Sequence, residues 1–294
     1  MISTSQMQNQ GVLPTLTDVI RDCDARRRLF RNLPLFADVD PNVCNLIADN
    51  VEHMHRRRGH EIIVQGDSAR SAYLLLTGLV HNERRAEICD NYHLCYQGPG
   101  QVLGLINVIS DERHKYTMRL VKNADLMLID RDQFMDAFDA SPNLRRNVMR
   151  DVNRRFCKTS DRLQQYYRLI DKESRFLVEL LDILEASSSR VVDHEREMDE
   201  LVIDWLSNDK AADRLGCDPR TIGHAKQRLK SAGLISTSAR TGAISIRTSD
   251  TDMLLGIQDK LDAFNLQSAV KLGMKRFPSL SDDNVTFREE RCRD

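Results

Sequence analysis

The sequence predicts an α+β protein. An N-terminal antiparallel β-barrel or jelly roll comes first, then one long helix, then a C-terminal winged helix-turn-helix. Three observations predict it. Between Val51 and about Ile129, short alternating segments are cut at turn-like intervals by Gly59, Gly66, Gly78, Gly98 and Gly100, the texture of a closed antiparallel sheet. From Ser141 to about Ile170, apolar residues recur at threes, fours and sevens, the period of a helix. From Ser207 to Ile235, the segment SNDKAADRLGCDPRTIGHAKQRLKSAGLI reads as two short helices around a tight turn.

The elements follow in chain order. The first residues, to about position 14, are polar and expected to be disordered, and Leu16 to Leu33 is expected to be helical. Residues 1–28 form an N-terminal extension. The barrel occupies 29–140, with Ile62 and Val64, Tyr73 to Leu76 and Leu126 to Ile129 as strand segments and no βαβ rhythm. Residues 141–171 are the long helix, with Leu144, Val148, Val152, Phe156, Leu163 and Ile170 on one face and charged flanks. Such a helix pairs with its copy in a second subunit or packs on its own barrel, and the homodimer is the preferred expectation. Residues 172–250 open with an apolar helix around Phe176 to Leu184, followed by a polar loop and the winged helix. Residues 251–294 hold an amphipathic helix, Asp252 to about Lys275, and a charged tail.

Within the helix pair, Gly216 ends the first helix, because glycine takes a positive φ without steric cost. Asp218 is a good N-cap and Pro219 sits at N1, where a missing N–H costs nothing. Ile222, Ala225 and Leu229 share one face of the second helix; Arg220, Thr221, His224, Gln227 and Arg228 share the other. A helix apolar behind and basic or hydrogen-bonding in front suits the major groove of double-stranded DNA. Ser236 to Thr248 reads as a hairpin turning at Gly242, with Arg240 near its tip. Between Trp205 and Thr248, eight Lys or Arg oppose three Asp, an excess of five positive charges in a chain of net charge −1. That local excess is the electrostatic footprint of phosphate contact.

Composition narrows the rest. The 294 residues are 41% hydrophobic and 30% charged, enough for two cores. No run approaches the roughly 20 apolar residues of a membrane span, and the polar N-terminus carries no signal-peptide core. Seven cysteines without a C-x-x-C read as free thiols of a reducing cytoplasm, with no metal site. Cys89 and Cys95 are read as buried structural cysteines before a redox pair, and haem ligation by Cys89, His93 or Cys95 is not expected. His53, His55 and His60 are read as a basic strand end. No phosphate-binding glycine loop, metal cluster or nucleophile motif is present, so no enzyme is expected. The competing reading is a ligand-sensing interaction module whose winged helix binds a protein partner.

The segments LFRNLPLFADVD (Leu29 to Asp40), GHEIIVQGD (Gly59 to Asp67), YLLLTGLV (Tyr73 to Val80) and LGCDPRTIGH (Leu215 to His224), in that order, resemble the Crp/Fnr superfamily of bacterial transcription regulators. The resemblance covers roughly residues 29–248. It implies a cyclic-nucleotide-binding-like barrel, a dimerisation helix, a homodimer on a palindromic operator, RNA polymerase as partner, and a small nucleotide-type effector between barrel and long helix. The implied effector segment is Val102 to Thr117. Gly104 is retained there, while Leu105 stands where cyclic-AMP receptors carry a Glu that takes the ribose hydroxyl. His114, Lys115 and Tyr116 stand around their Arg-Ser pair. Thr159 and Ser160 match the Thr-Ser that meets the purine, or form a polar layer in the dimer seam. Leu105 cannot accept a hydrogen bond, and Lys or His lacks the bidentate Arg fork, so tight cyclic-AMP binding is not expected. The effector is another ligand, a dinucleotide, or none. In the recognition helix only Thr221 matches the family's best-known reading set, which predicts a different operator.

Overall fold

The computed structural model describes residues 13–84, 92–168, 172–193, 200–231 and 233–247. The helix expected over 252–275, Cys89, and the side chains of His93, Leu163 and Ile170 lie outside the described residues.

The N-terminal segment forms two helices where the sequence predicts one. Helix α1 (Leu16–Arg21) opens with a reciprocal Thr15–Asp18 capping box. The chain then extends at Asp22, whose carboxylate accepts from the backbone N–H groups of Asp24 and Ala25 and starts α2 (Cys23–Asn32). An Asp that can cap competes with helix continuation. Helix α3 (Pro41–Asp49) begins with Pro at N1 behind a capping Asp40.

Eight strands follow: β1 (Glu52–Arg56), β2 (Glu61–Ile63), β3 (Ser71–Leu75), β4 (Val80–Arg84), β5 (Tyr92–Gln97), β6 (Val102–Leu103), β7 (Thr117–Leu120) and β8 (Ala124–Asp130). They make two four-stranded antiparallel sheets, β1-β8-β3-β6 and β2-β7-β4-β5. Ile63, Leu75, Val80, Leu103, Met118, Leu120 and Leu126 from both sheets share one core. The alternate residues Leu74, Met127 and Ile129 face the other way, against α2, α3 and the helices after the barrel. This is period-2 patterning with both faces of one sheet covered. A short helix, α4 (Leu105–Ser110), links β6 to β7.

Helix α5 (Arg131–Ala140) is capped by Asp130, and α6 (Pro142–Arg168) is the long helix. Its first turns bury Leu144 and Val148 against the barrel side, while Met149 (65% exposed) and Phe156 (71%) face outward. Then come α7 (Lys172–Ser188), β9 (Glu200–Ile203), α8 (Asn208–Leu215), α9 (Pro219–Ser231), β10 (Ser236–Thr237) and β11 (Ile244–Arg247). The sheet order is β10-β11-β9, antiparallel throughout. Strand β9 has no counterpart in the sequence reading, because four residues carry too little alternation to announce a strand. One core joins α7, α8, α9, β9 and β11, and it also takes in Leu79, Tyr96 and Val121 of the barrel. The described residues include no helix long and apolar enough to cross a membrane.

Candidate functional site

Local chemistry sets the α8–α9 pair. Ser207 caps α8 by accepting from the Lys210 N–H, and Gly216 closes it in the left-handed region at φ 59°. Asp218 then accepts from the Arg220 N–H at 2.7 Å. Ile222, Ala225 and Leu229 are buried beneath α9. Arg220, His224 and Gln227 are exposed, and Thr221 and Arg228 are half-buried. Arg240 is exposed in the turn between β10 and β11, where Gly242 takes φ 69°.

Two of the eight basic residues counted in this region leave its surface. Lys226 is 9% exposed, with its ammonium 3.5 Å from the Leu206 carbonyl, and burial lowers its pKa. Arg214 turns inward from α8. It pairs with the fully buried Glu179 of α7 at 3.0 Å and donates to the Tyr96 hydroxyl of β5. Its guanidinium also lies 5.9 Å from the Tyr96 ring centre and 5.7 Å from that of Trp205, within cation–π range. Tyr96 donates its hydroxyl to Glu179 at 2.9 Å, and its backbone N–H goes to Asp182. Lys158 of α6 lies 3.5 Å from Asp182 and 2.8 Å from Glu185. Barrel, α6, α7 and α8 therefore meet at one polar junction. Burial outweighs Arg214 and Tyr96 and raises the Glu179 pKa.

The effector segment is arranged differently from its sequence reading. Gly104 has φ +74°, where any side chain would strain the backbone, and a Cβ there would come within 2.8 Å of the tip of the Ile63 side chain. Leu105 is 3% exposed and belongs to the apolar core. His114 is buried, its Nδ1 has no partner among the described residues, and burial lowers its pKa so that it is neutral at pH 7. Lys115 points outward and pairs with Glu112 at 3.2 Å. Neither of the two supplies a cation beside Gly104. Two other cations reach this segment: Arg131 of α5 donates to the Val108 carbonyl at 3.1 Å, and Arg155 of α6, paired with Asp151 at 2.7 Å, donates to the Val102 carbonyl at 3.2 Å and acts electrostatically on half-buried Tyr116. Nothing in the spacing of the sequence marked Arg155, since it reads as one of several flanking charges on the helix. Thr159 is exposed and donates its hydroxyl back to the Arg155 carbonyl at 2.9 Å, and Ser160 is half-buried on the same helix.

The strand-end histidines have a specific role. His53 and His55 both meet the buried Asp125 of β8, at 3.0 and 3.1 Å. The described residues contain no group of three or more potential metal ligands. Among the described cysteines, Cys23, Cys44 and Cys157 are free thiols.

Comparison with known proteins agrees with this architecture. Residues 53–141 match the cyclic nucleotide-binding domain family. Over 211 residues the chain is 19% identical to a CRP-like cAMP-activated global transcriptional regulator of Mycobacterium tuberculosis, covering 72% of this chain and 92% of that protein. FixK2 from Bradyrhizobium japonicum shares the fold at TM-score 0.54 and 17% identity, over 70% of this chain and 96% of its own. The c-di-GMP responsive global regulator CLP of Xanthomonas campestris does so at TM-score 0.54 and 15% identity, over 71% and 99%. A cyclic nucleotide-binding domain match at 53–141, leading through a long helix into a two-helix unit, makes this chain similar in fold and order of elements to Crp/Fnr-type transcription regulators.

Proposed function

We propose that the protein is a sequence-specific DNA-binding transcription regulator, acting as a homodimer on a palindromic operator and engaging RNA polymerase in the cytoplasm. The carrying observation is the two-sided α9: Ile222, Ala225 and Leu229 are buried, and Arg220, His224 and Gln227 are exposed opposite them. In this reading α8, α9 and the β10–β11 hairpin are a winged helix-turn-helix, with α9 in the major groove. Arg220, Thr221, His224, Gln227 and Arg228 address bases and phosphates, and Arg240 reaches a phosphate from the wing. Sequencing DNA that copurifies with the protein identifies the operator. On that operator, Arg220→Ala costs about 1–3 kcal/mol and relaxes sequence preference. Unchanged affinity in an electrophoretic shift would remove this face from consideration.

The proposed units are a barrel over 29–140, a dimerisation helix over 141–171 and a DNA-binding unit over 172–250. Met149 and Phe156, one heptad apart on the outer face of α6, support the dimer. The effector reading retains Gly104, Leu105, His114, Lys115, Tyr116, Thr159 and Ser160 as its segment and adds Arg155. Because the buried Leu105 presents no acceptor to a ribose hydroxyl, calorimetry with cyclic AMP is expected to show no binding in the micromolar range. A micromolar or tighter isotherm overturns that expectation. No catalytic role is proposed.

A further inference from the structure

We propose that the cleft between the barrel and the C-terminal unit is a binding site for a small phosphate-bearing ligand, separate from the segment around Gly104. A cavity of about 520 Å³ opens there, within the roughly 300–1,000 Å³ of small-molecule sites. One wall is the barrel, with Thr77 and the β7–β8 turn at 121–123. The other is the chain leaving α7 at 187–192, together with Asp204 beyond β9. Residues 102–117 contribute nothing to its lining.

The charges of this cleft are unbalanced in a specific way. Two carboxylates line it, and both are engaged. Asp125 accepts from the Thr77 hydroxyl at 3.0 Å and meets His53 and His55. Asp204 pairs with Arg58 at 3.2 Å across the rim. Lys122 on the barrel wall and Arg190 on the opposite wall have no carboxylate within ion-pair distance among the described residues. Two like charges lining one cavity are stabilised by an anion placed between them.

Neutral groups point to the same ligand class. Ser187 lines the cavity, and its buried hydroxyl has no hydrogen-bond partner among the described residues. Asn123 uses its Oδ1 to accept from the Arg58 backbone N–H at 2.9 Å, which leaves its amide nitrogen as a donor. An ammonium, a guanidinium fork, a hydroxyl and an amide suit the several oxygens of a phosphate. Leu76, Val121 and Val192 supply an apolar surface for the rest of the molecule. A ligand held by both Lys122 and Arg190 ties the barrel to the chain that leaves α7, and so restrains the angle between the two units.

The test is thermal unfolding of the full chain with sodium pyrophosphate as the probe, against sodium chloride at matched ionic strength. The expected result is a saturable rise in melting temperature. Lys122→Gln and Arg190→Gln each weaken its midpoint by about ten-fold or more, and Lys230→Gln on α9 leaves it unchanged. Neither Lys122 nor Arg190 makes an ion pair among the described residues, so both variants are expected to fold, which their unliganded melting curves verify. An absent shift, a shift equal in all variants, or one lost in Lys230→Gln overturns the proposal. The readout is independent of DNA, so its failure leaves the DNA-binding reading untouched.

Discussion

Replacing Arg214 with alanine lowers stability by about 3–5 kcal/mol, the cost of stripping one partner from a buried ion pair. Glu179 is fully buried, and its second carboxylate oxygen already lacks a partner among the described residues. The variant leaves that carboxylate with the Tyr96 hydroxyl as its hydrogen-bond partner and removes the guanidinium from beside the Tyr96 and Trp205 rings. Urea unfolding measures the loss. A pH series identifies its cause. The folded pKa of Glu179 is raised by burial, and without Arg214 it rises further. A carboxyl whose folded pKa exceeds its unfolded value favours folding while protonated, below the ordinary carboxylate range. That contribution is lost as pH climbs from the unfolded toward the folded pKa. The Arg214→Ala deficit is therefore smallest at acid pH and grows toward neutrality. Adding Glu179→Leu to Arg214→Met recovers most of the loss, because well-packed apolar replacements of buried pairs are often neutral. A deficit independent of pH and unrelieved by the double variant would show that lost packing alone is responsible.

Phe156→Glu converts the proposed dimer to a monomer and weakens operator binding by about 10²–10⁴-fold, the gain that linking two half-site readers confers. Phe156 is 71% exposed and Met149 65% exposed on one face of α6. Large apolar side chains that water covers in one chain are buried when two copies meet across a two-fold axis. A glutamate at that position faces its own copy there, and like charges in a seam repel. Analytical ultracentrifugation reads the mass and a binding assay on the full operator reads the affinity. Because Phe156 supports nothing in the monomer core, the thermal unfolding of an already monomeric chain changes little. A dimer that survives Phe156→Glu would place the subunit contact elsewhere.

Much of the architecture is a local property of the chain. The ends of α8 and α9 are written in Ser207, Gly216, Asp218 and Pro219, each of which acts on backbone within a few residues of itself. The strand alternation of Leu74, Met127 and Ile129 and the helical period of Leu144 and Val148 likewise need only short-range pattern to be read. Even so, one local signal was ambiguous. Asp22 serves equally as a mid-helix residue or a cap, and only packing of α1 and α2 against Ile47 and the barrel selected the cap.

Whether a side chain faces a partner or water was not legible, because that depends on what lies across from it in space. Arg214 and Lys226 counted as basic surface in the sequence, but in the structure Arg214 turns inward to Glu179 and Lys226 is buried. His114 stood as a candidate cation and is a neutral wall residue, while Arg155, one charge among many on its helix, reaches the effector segment. Lys122 and Arg190 are 68 positions apart in the chain and line one cavity. Sequence alone determined the order of units and the two-sided character of α9, since capping, turn and periodicity act over neighbouring residues. Tertiary structure decided which charges are paired, which are buried and which share a cleft, since Coulomb and desolvation energies follow distance in space and not along the chain.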